Sequence, residues 1–180
     1  MTNQGATIWL TGLSGAGKST IAEALVPRLR AAGHQVDILD GDEVRQVLTA
    51  DLGFSREDRI TNVRRIGYVA EVLSRNGVLT LVPVIAPYAE ARDSVAERHE
   101  KAGVPFVLIH VATTVELCAE RDVKGLYAKQ KAGLMSGLTG VDDPYEDPAE
   151  PDLRIDTAGL TLDECVGAVW ALLAARGVVR

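Results

Sequence analysis

The chain of 180 residues has only two cysteines, Cys118 and Cys165, and no C-x-x-C pair. That excludes a disulfide-built scaffold; the spacing leaves a single bridge open, and two reduced thiols in a reducing cytosol fit better. Basic charge is also in deficit: net charge is −6 with an isoelectric point near 5.1, so no global basic field draws the chain to nucleic acid or an anionic membrane. No hydrophobic run approaches the roughly 20 residues needed to span a bilayer, and the most apolar stretch, 78–86, is interrupted by Pro83. The amino end carries neither a basic cluster nor an apolar stretch of the leader type. These absences predict a soluble, cytoplasmic protein with no membrane or nucleic-acid partner. With no internal repeat, 47% hydrophobic and 24% charged residues describe one ordinary globular domain over 1–180.

The charge deficit is local. Asp142, Asp143, Glu146, Asp147, Glu150 and Asp152 form an acidic strip without a base among them, and outside it acids and bases balance. Along the chain, short β-branched runs alternate with amphipathic stretches. Strands are predicted at 7–11, 36–39, 78–86, 106–111 and 153–155, with Pro83 awkward inside the third. Helices are predicted from 18 to 32, closed by Gly33, just after Asp42, from Ser55 with Asp58 as a capping box to Asn76, at 89–102, from Val115 to Arg121, and at 162–176. Residues 124–151 lose all periodicity and read as a lid rather than a linker, with the lid as a whole at about 122–151. Alternating strands and helices imply right-handed crossovers and a parallel sheet covered on both faces, so the fold class is α/β, doubly wound.

The strongest motif is Gly12-Leu13-Ser14-Gly15-Ala16-Gly17-Lys18-Ser19, followed by Thr20, which fits G-x-x-x-x-G-K-[ST] between a strand and a helix. Its glycines let backbone N–H groups from Gly12, Ser14, Gly15, Ala16 and Gly17 turn inward around phosphates, and the helix that follows adds its positive end. Lys18 is placed to reach the β- and γ-phosphates, and the Ser19 hydroxyl to ligate Mg²⁺. A chance glycine-rich turn does not also come with the required strand and helix. The absence of an N-K-x-D signature argues against a guanine-nucleotide switch.

A second constellation follows strand two. Asp40-Gly41-Asp42 lies at its carboxyl end, where open α/β sheets place ligands; paired carboxylates there hold Mg²⁺ or accept a proton, although a turn with a helix cap explains the same residues. On the helix from Arg56, about 100° per residue sets Val63, Ile66, Ala70 and Leu73 on one stripe, with Arg59 on that stripe in the first turn and Asn62 beside it. A cation there opposes the helix dipole and needs a partner, so Arg59 with Arg45 points to a bound anion rather than to snorkelling. Arg64 and Arg65 fall on other faces and read as surface charges.

In this order the motifs resemble the adenylyl-sulfate kinase family, over nearly the whole chain. The matching segments are 12–20, 40–45, 51–55, 58–65, 85–88, 120–127 and 139–146. The resemblance implies a P-loop kinase that phosphorylates the 3′-hydroxyl of adenylyl sulfate with MgATP. It implies contacts to adenylyl sulfate from Asp40, Asp42, Arg45, Phe54, Arg59, Asn62, Ile85 and Lys124, with Ala86, Leu138 and Thr139 alongside. It further implies that Arg121 and the segment near Thr157 to Thr161 border the ATP adenine, that Ser19 and Asp40 serve the metal, and that the protein is a homodimer, with a sulfate adenylyltransferase as a candidate partner. Asp42 is the candidate to orient or deprotonate the 3′-hydroxyl, with Asp40 the competing choice.

Two positions depart from the family pattern. Ala86 stands where many members have Ser, so a phosphoserine intermediate is not expected there. Leu138 stands where Phe usually stacks on the substrate adenine, which leaves Phe54 as the expected single ring.

Overall fold

The computed structural model describes residues 5–179; the extreme amino end, on which the reading of no leader partly rests, lies outside them. Five strands form one parallel sheet in the order β2-β3-β1-β4-β5: β1 (Ala6–Thr11), β2 (Gln35–Ile38), β3 (Val78–Pro83), β4 (Phe106–Val111) and β5 (Leu153–Ile155). The helices are α1 (Lys18–Ala31), α2 (Gly41–Val47), α3 (Arg56–Arg75), α4 (Ala89–Lys101), α5 (Val115–Arg121), α6 (Leu126–Lys131) and α7 (Leu162–Ala175).

The two-residue repeat of a strand sorts the core. In β1, Ile8 and Leu10 join Ile21, Leu25 and Leu29 of α1 and Val169 and Leu173 of α7, while Trp9 joins Val63, Ile66 and Ala70 of α3 on the other face. The central strand is buried at every position, as expected of a parallel sheet covered on both sides. Full burial of Ile8, Leu10 and Trp9 is worth about 1.5–3 kcal/mol per side chain, which makes β1 the fixed reference for the loop that follows it. Ser55 caps α3 as expected, its hydroxyl accepting from the Asp58 N–H at 3.1 Å.

Two expectations change. Strand three stops at Pro83 instead of reaching Ala86, because the chain leaves the ladder there and Ala86 takes a left-handed backbone (φ 45°). The lid region is not devoid of structure: Asp122 accepts from the N–H groups of Tyr127 and Ala128, and α6 forms behind them. The acidic strip is tied into the fold. Asp142 accepts from the N–H groups of Gly137 and Leu138, and Asp143 pairs with Arg59. Glu146 accepts from the Ala89 N–H at the start of α4, and Asp152 binds the Leu108 N–H and Arg176. Both cysteines are buried and free, so the bridge left open by the spacing does not form. Arg65 forks onto exposed Asp51 at 2.6 and 2.9 Å, a surface pair as read.

Candidate active site

The carboxyl ends of β1, β2 and β3 open into a cleft of about 740 Å³, walled on one side by the loop after β1 and on the other by residues 135–139 of the lid. The loop is held close to the sheet: a Cβ at Gly12 (φ 153°) would lie 2.4 Å from the Val111 carbonyl oxygen, so only glycine fits. Ser14, Gly15, Gly17, Lys18, Ser19 and Thr20 line the cleft. Gly12 and Ala16 stand behind it, the fully buried Ala16 offering its carbonyl to the Thr113 hydroxyl at 2.9 Å.

Lys18 opens α1 and is only 8% exposed, its Nζ donating to the Leu13 carbonyl at 2.7 Å. Burial, and then the neighbouring Lys124, lower its pKa to about 8, against the pull of Asp40 and Asp42. The adjacent Ser19 hydroxyl donates to Asp40 Oδ2 at 2.7 Å, while Asp40 Oδ1 accepts the Asp42 N–H at 2.9 Å and so caps α2. Asp40 is thus the cap of α2 and a hydrogen-bond partner of the phosphate loop at once. Arg121 closes this half by donating to the Thr157 hydroxyl at 2.9 Å.

The other half gathers distant segments. Asp42 is ion-paired with Lys124 of the lid. Arg45 donates to the Gly53 carbonyl at 2.9 Å and lies 4.4 Å over the ring of Phe54, which is 67% exposed. Arg59 donates through Nε to the Phe54 carbonyl (2.9 Å), through Nη1 to the Thr139 hydroxyl (3.0 Å) and through Nη2 to the Gly137 carbonyl (2.7 Å). Asp143 lies 3.4 Å from Nε as well, so the partner its buried position required is the lid. Asn62 accepts from Thr49 at 2.7 Å, and Ile85, Ala86, Leu138 and Thr139 complete the wall, Leu138 and Thr139 almost fully buried.

Sequence reasoning missed Val123, Met135, Leu162 and Cys165, all of which line the cleft, as does Leu160 of the 157–161 segment. They are plain apolar residues whose place depends on the path of loops, and Cys165 had been read only as an idle thiol. The halves also touch directly: a Cβ at Gly140 (φ 86°) would meet Leu13 Cδ2 at 2.6 Å, so the lid loop packs on the phosphate loop.

A phosphate-binding loop with its lysine, a hydroxyl–carboxylate pair beside it and a lidded polar pocket across from it define a P-loop phosphotransferase acting on a small molecule. The sequence model of the adenylylsulphate kinase family matches residues 4–156. The chain is 52% identical to a probable adenylyl-sulfate kinase of Synechocystis over 96% of both chains, and 51% identical to the adenylyl-sulfate kinase of Rippkaea orientalis over 98% of this chain and 96% of that one. The solved Mycobacterium tuberculosis APS kinase in complex with AMPPNP and APS superimposes with a TM-score of 0.92 at 44% identity, covering 95% of this chain and 98% of the other. The chain belongs to the adenylyl-sulfate kinase family.

Proposed function

We propose that this cleft transfers the γ-phosphoryl group of ATP to the 3′-hydroxyl of adenylyl sulfate, giving ADP and 3′-phosphoadenylyl sulfate. The observation that carries the division of labour is that Lys18, Ser19, Asp40 and Asp42 share one cavity with Arg45, Phe54, Arg59 and Asn62. In the step itself the 3′-oxygen attacks the γ-phosphorus in line, the bond to the β,γ-bridging oxygen breaks, and the hydroxyl proton passes to a carboxylate. Asp42 is assigned as that carboxylate, because both oxygens of Asp40 are already engaged by Ser19 and the α2 backbone. Lys124 then leaves Asp42 as the acceptor enters, and its charge passes to the phosphates.

Lys18 stabilises the charge that develops on the transferring group, and Arg121 and Thr157 border the adenine of ATP. The Ser19 hydroxyl and Asp40 carboxylate are adjacent hard oxygen donors, the set that suits Mg²⁺. The ion, when bound, neutralises charge on the phosphates. Phe54 offers its exposed ring to the adenine of adenylyl sulfate, Arg45 and Arg59 take its anionic end, and Leu138 packs where a second ring is absent. Ala86 has no hydroxyl, so transfer is direct at that position.

Among the described residues no helix is long and apolar enough to cross a membrane. A cytoplasmic location, a homodimer and a sulfate adenylyltransferase partner belong to the same proposal, and sedimentation velocity tests the dimer. The activity is tested by ADP release with adenylyl sulfate, gluconate, shikimate or no acceptor. Turnover with adenylyl sulfate alone is expected; equal turnover with a sugar acid, or none above the acceptor-free rate, would overturn the assignment.

A further inference from the structure

The turn 85–87 forms a wall of the acceptor half yet lies beyond the end of β3, and Ala86 holds a left-handed backbone that costs an L-residue about 1–2 kcal/mol. Something must hold it in that shape. On one side the Thr11 hydroxyl, at the root of the phosphate loop, donates to the Ile85 carbonyl at 2.5 Å. On the other, Arg92 Nη1 donates to the Ala86 carbonyl at 2.7 Å, and its Nη2 donates to the Glu146 carbonyl at 2.6 Å. The contacts close on themselves. Glu146 N–H donates to the Pro87 carbonyl at 2.8 Å, its carboxylate takes the Ala89 N–H at 2.7 Å, and the Tyr145 hydroxyl meets Thr11 Oγ1 at 2.9 Å.

Arg92 is an unusual choice for a brace. It is 3% exposed, among the described residues no carboxylate pairs with its guanidinium, and burial lowers its pKa. An unpaired buried cation is costly, so a position of this kind asks for what a neutral side chain cannot give: two donors at a fixed angle, each to a carbonyl on a different segment. One of those segments faces the acceptor, and the other is the root of the lid.

We propose that Arg92 is a positioning residue for the acceptor, fixing the 85–87 turn against the lid root so that acceptor wall and lid share one pivot. The proposal rests on the acceptor-side reading above. Lysine at this position has one point charge and cannot fork across both carbonyls.

The test uses the full-length enzyme with both substrates varied, comparing wild type, Arg92→Lys, Arg92→Met and Phe54→Ala. Folding is checked by thermal melting and by calorimetric binding of ADP. For Arg92→Lys the KM for adenylyl sulfate should rise about tenfold, the loss of one charged hydrogen bond, with the KM for ATP within about twofold of wild type. Arg92→Met should extend the same pattern, so that lysine shows as a partial rescue. If both KM values rise together, or neither moves, Arg92 is a structural brace only and the proposal fails. Should Arg92→Met not fold, Arg92→Lys decides by the same criteria. Phe54→Ala separates the two levels: an unchanged KM for adenylyl sulfate in that variant would defeat the acceptor-side reading itself, whatever the arginine variants do.

Discussion

In the phosphate half of the cleft, residues 12–20 supply nearly every group, and the backbone they need is set by a buried strand before them and a helix after them. The acceptor half is assembled from α2, the 53–55 turn, the first turns of α3, the 84–87 turn and the lid, segments spread widely along the sequence. The contrast teaches where each half is vulnerable. A contiguous loop fails when its single reactive charge is lost. A pocket made from scattered segments fails by degrees, through whichever contact keeps a segment in place.

Lys18→Ala is the sharpest way to break the first half. It should lower kcat by orders of magnitude while the variant still folds, because the charge facing the transferring phosphoryl group is lost. Near-normal turnover in the folded variant would discard the mechanism. In the second half, Arg59→Ala should cost about 1.5–3 kcal/mol in kcat/KM for adenylyl sulfate, and little in KM for ATP. Equal damage to both constants would mean that the lid loop it holds serves the nucleotide as well.

Finer still is the adenine clamp. Phe54→Ala should weaken adenylyl sulfate by about 1–3 kcal/mol, and Leu138→Phe should tighten it by about 0.5–1.5 kcal/mol if the added ring reaches an offset stack. Titrations with ADP present decide this, and unchanged or weaker binding to a folded Leu138→Phe variant would count against a one-ring clamp.

The smallest expected effect comes from protonation. Free Lys18 titrates at about 8 and is charged beside bound phosphate, so ADP binding takes up a proton and weakens as pH rises through 8, by about fourfold at pH 8.5. Calorimetry in buffers of different ionisation enthalpy measures that uptake directly. The sign for folding is opposite. Because the unfolded lysine holds its proton up to about 10.5, the ligand-free fold gains stability from this group between about pH 8 and 10.5.

The same contrast explains what could be read without a structure. The parallel sheet, the phosphate loop and the cap of α3 depend on periodicity and spacing within a few residues, and each is found where local physics puts it. Asp40 and Arg59 were visible because a paired carboxylate motif and a cation on an apolar stripe are locally anomalous. Nothing local marks Leu162 or Met135 as cleft residues, or Arg92 as a fork between two loops, because their partners lie far away in sequence. The partners of the six acids were illegible for that reason too: Arg59, Arg56 and Arg176 arrive from other elements.

That internal pairing has a consequence for diffusion. Among the described residues Lys18, Arg45, Arg59, Arg121 and Lys124 line the cleft with Asp40 and Asp42, and Asp143 pairs with Arg59 from outside it; the bases still outnumber the acids, so a protein of net charge −6 presents a positive mouth. Were the acidic strip free beside it, field lines from the cleft would end on those carboxylates. With three of the six acids facing arginines, the cleft can draw anionic substrates from solution against the sign of the whole molecule. Stopped-flow association rates for adenylyl sulfate should accordingly fall as salt is added. A rate that rises with salt would mean that the overall negative charge, and not the cleft, governs the encounter.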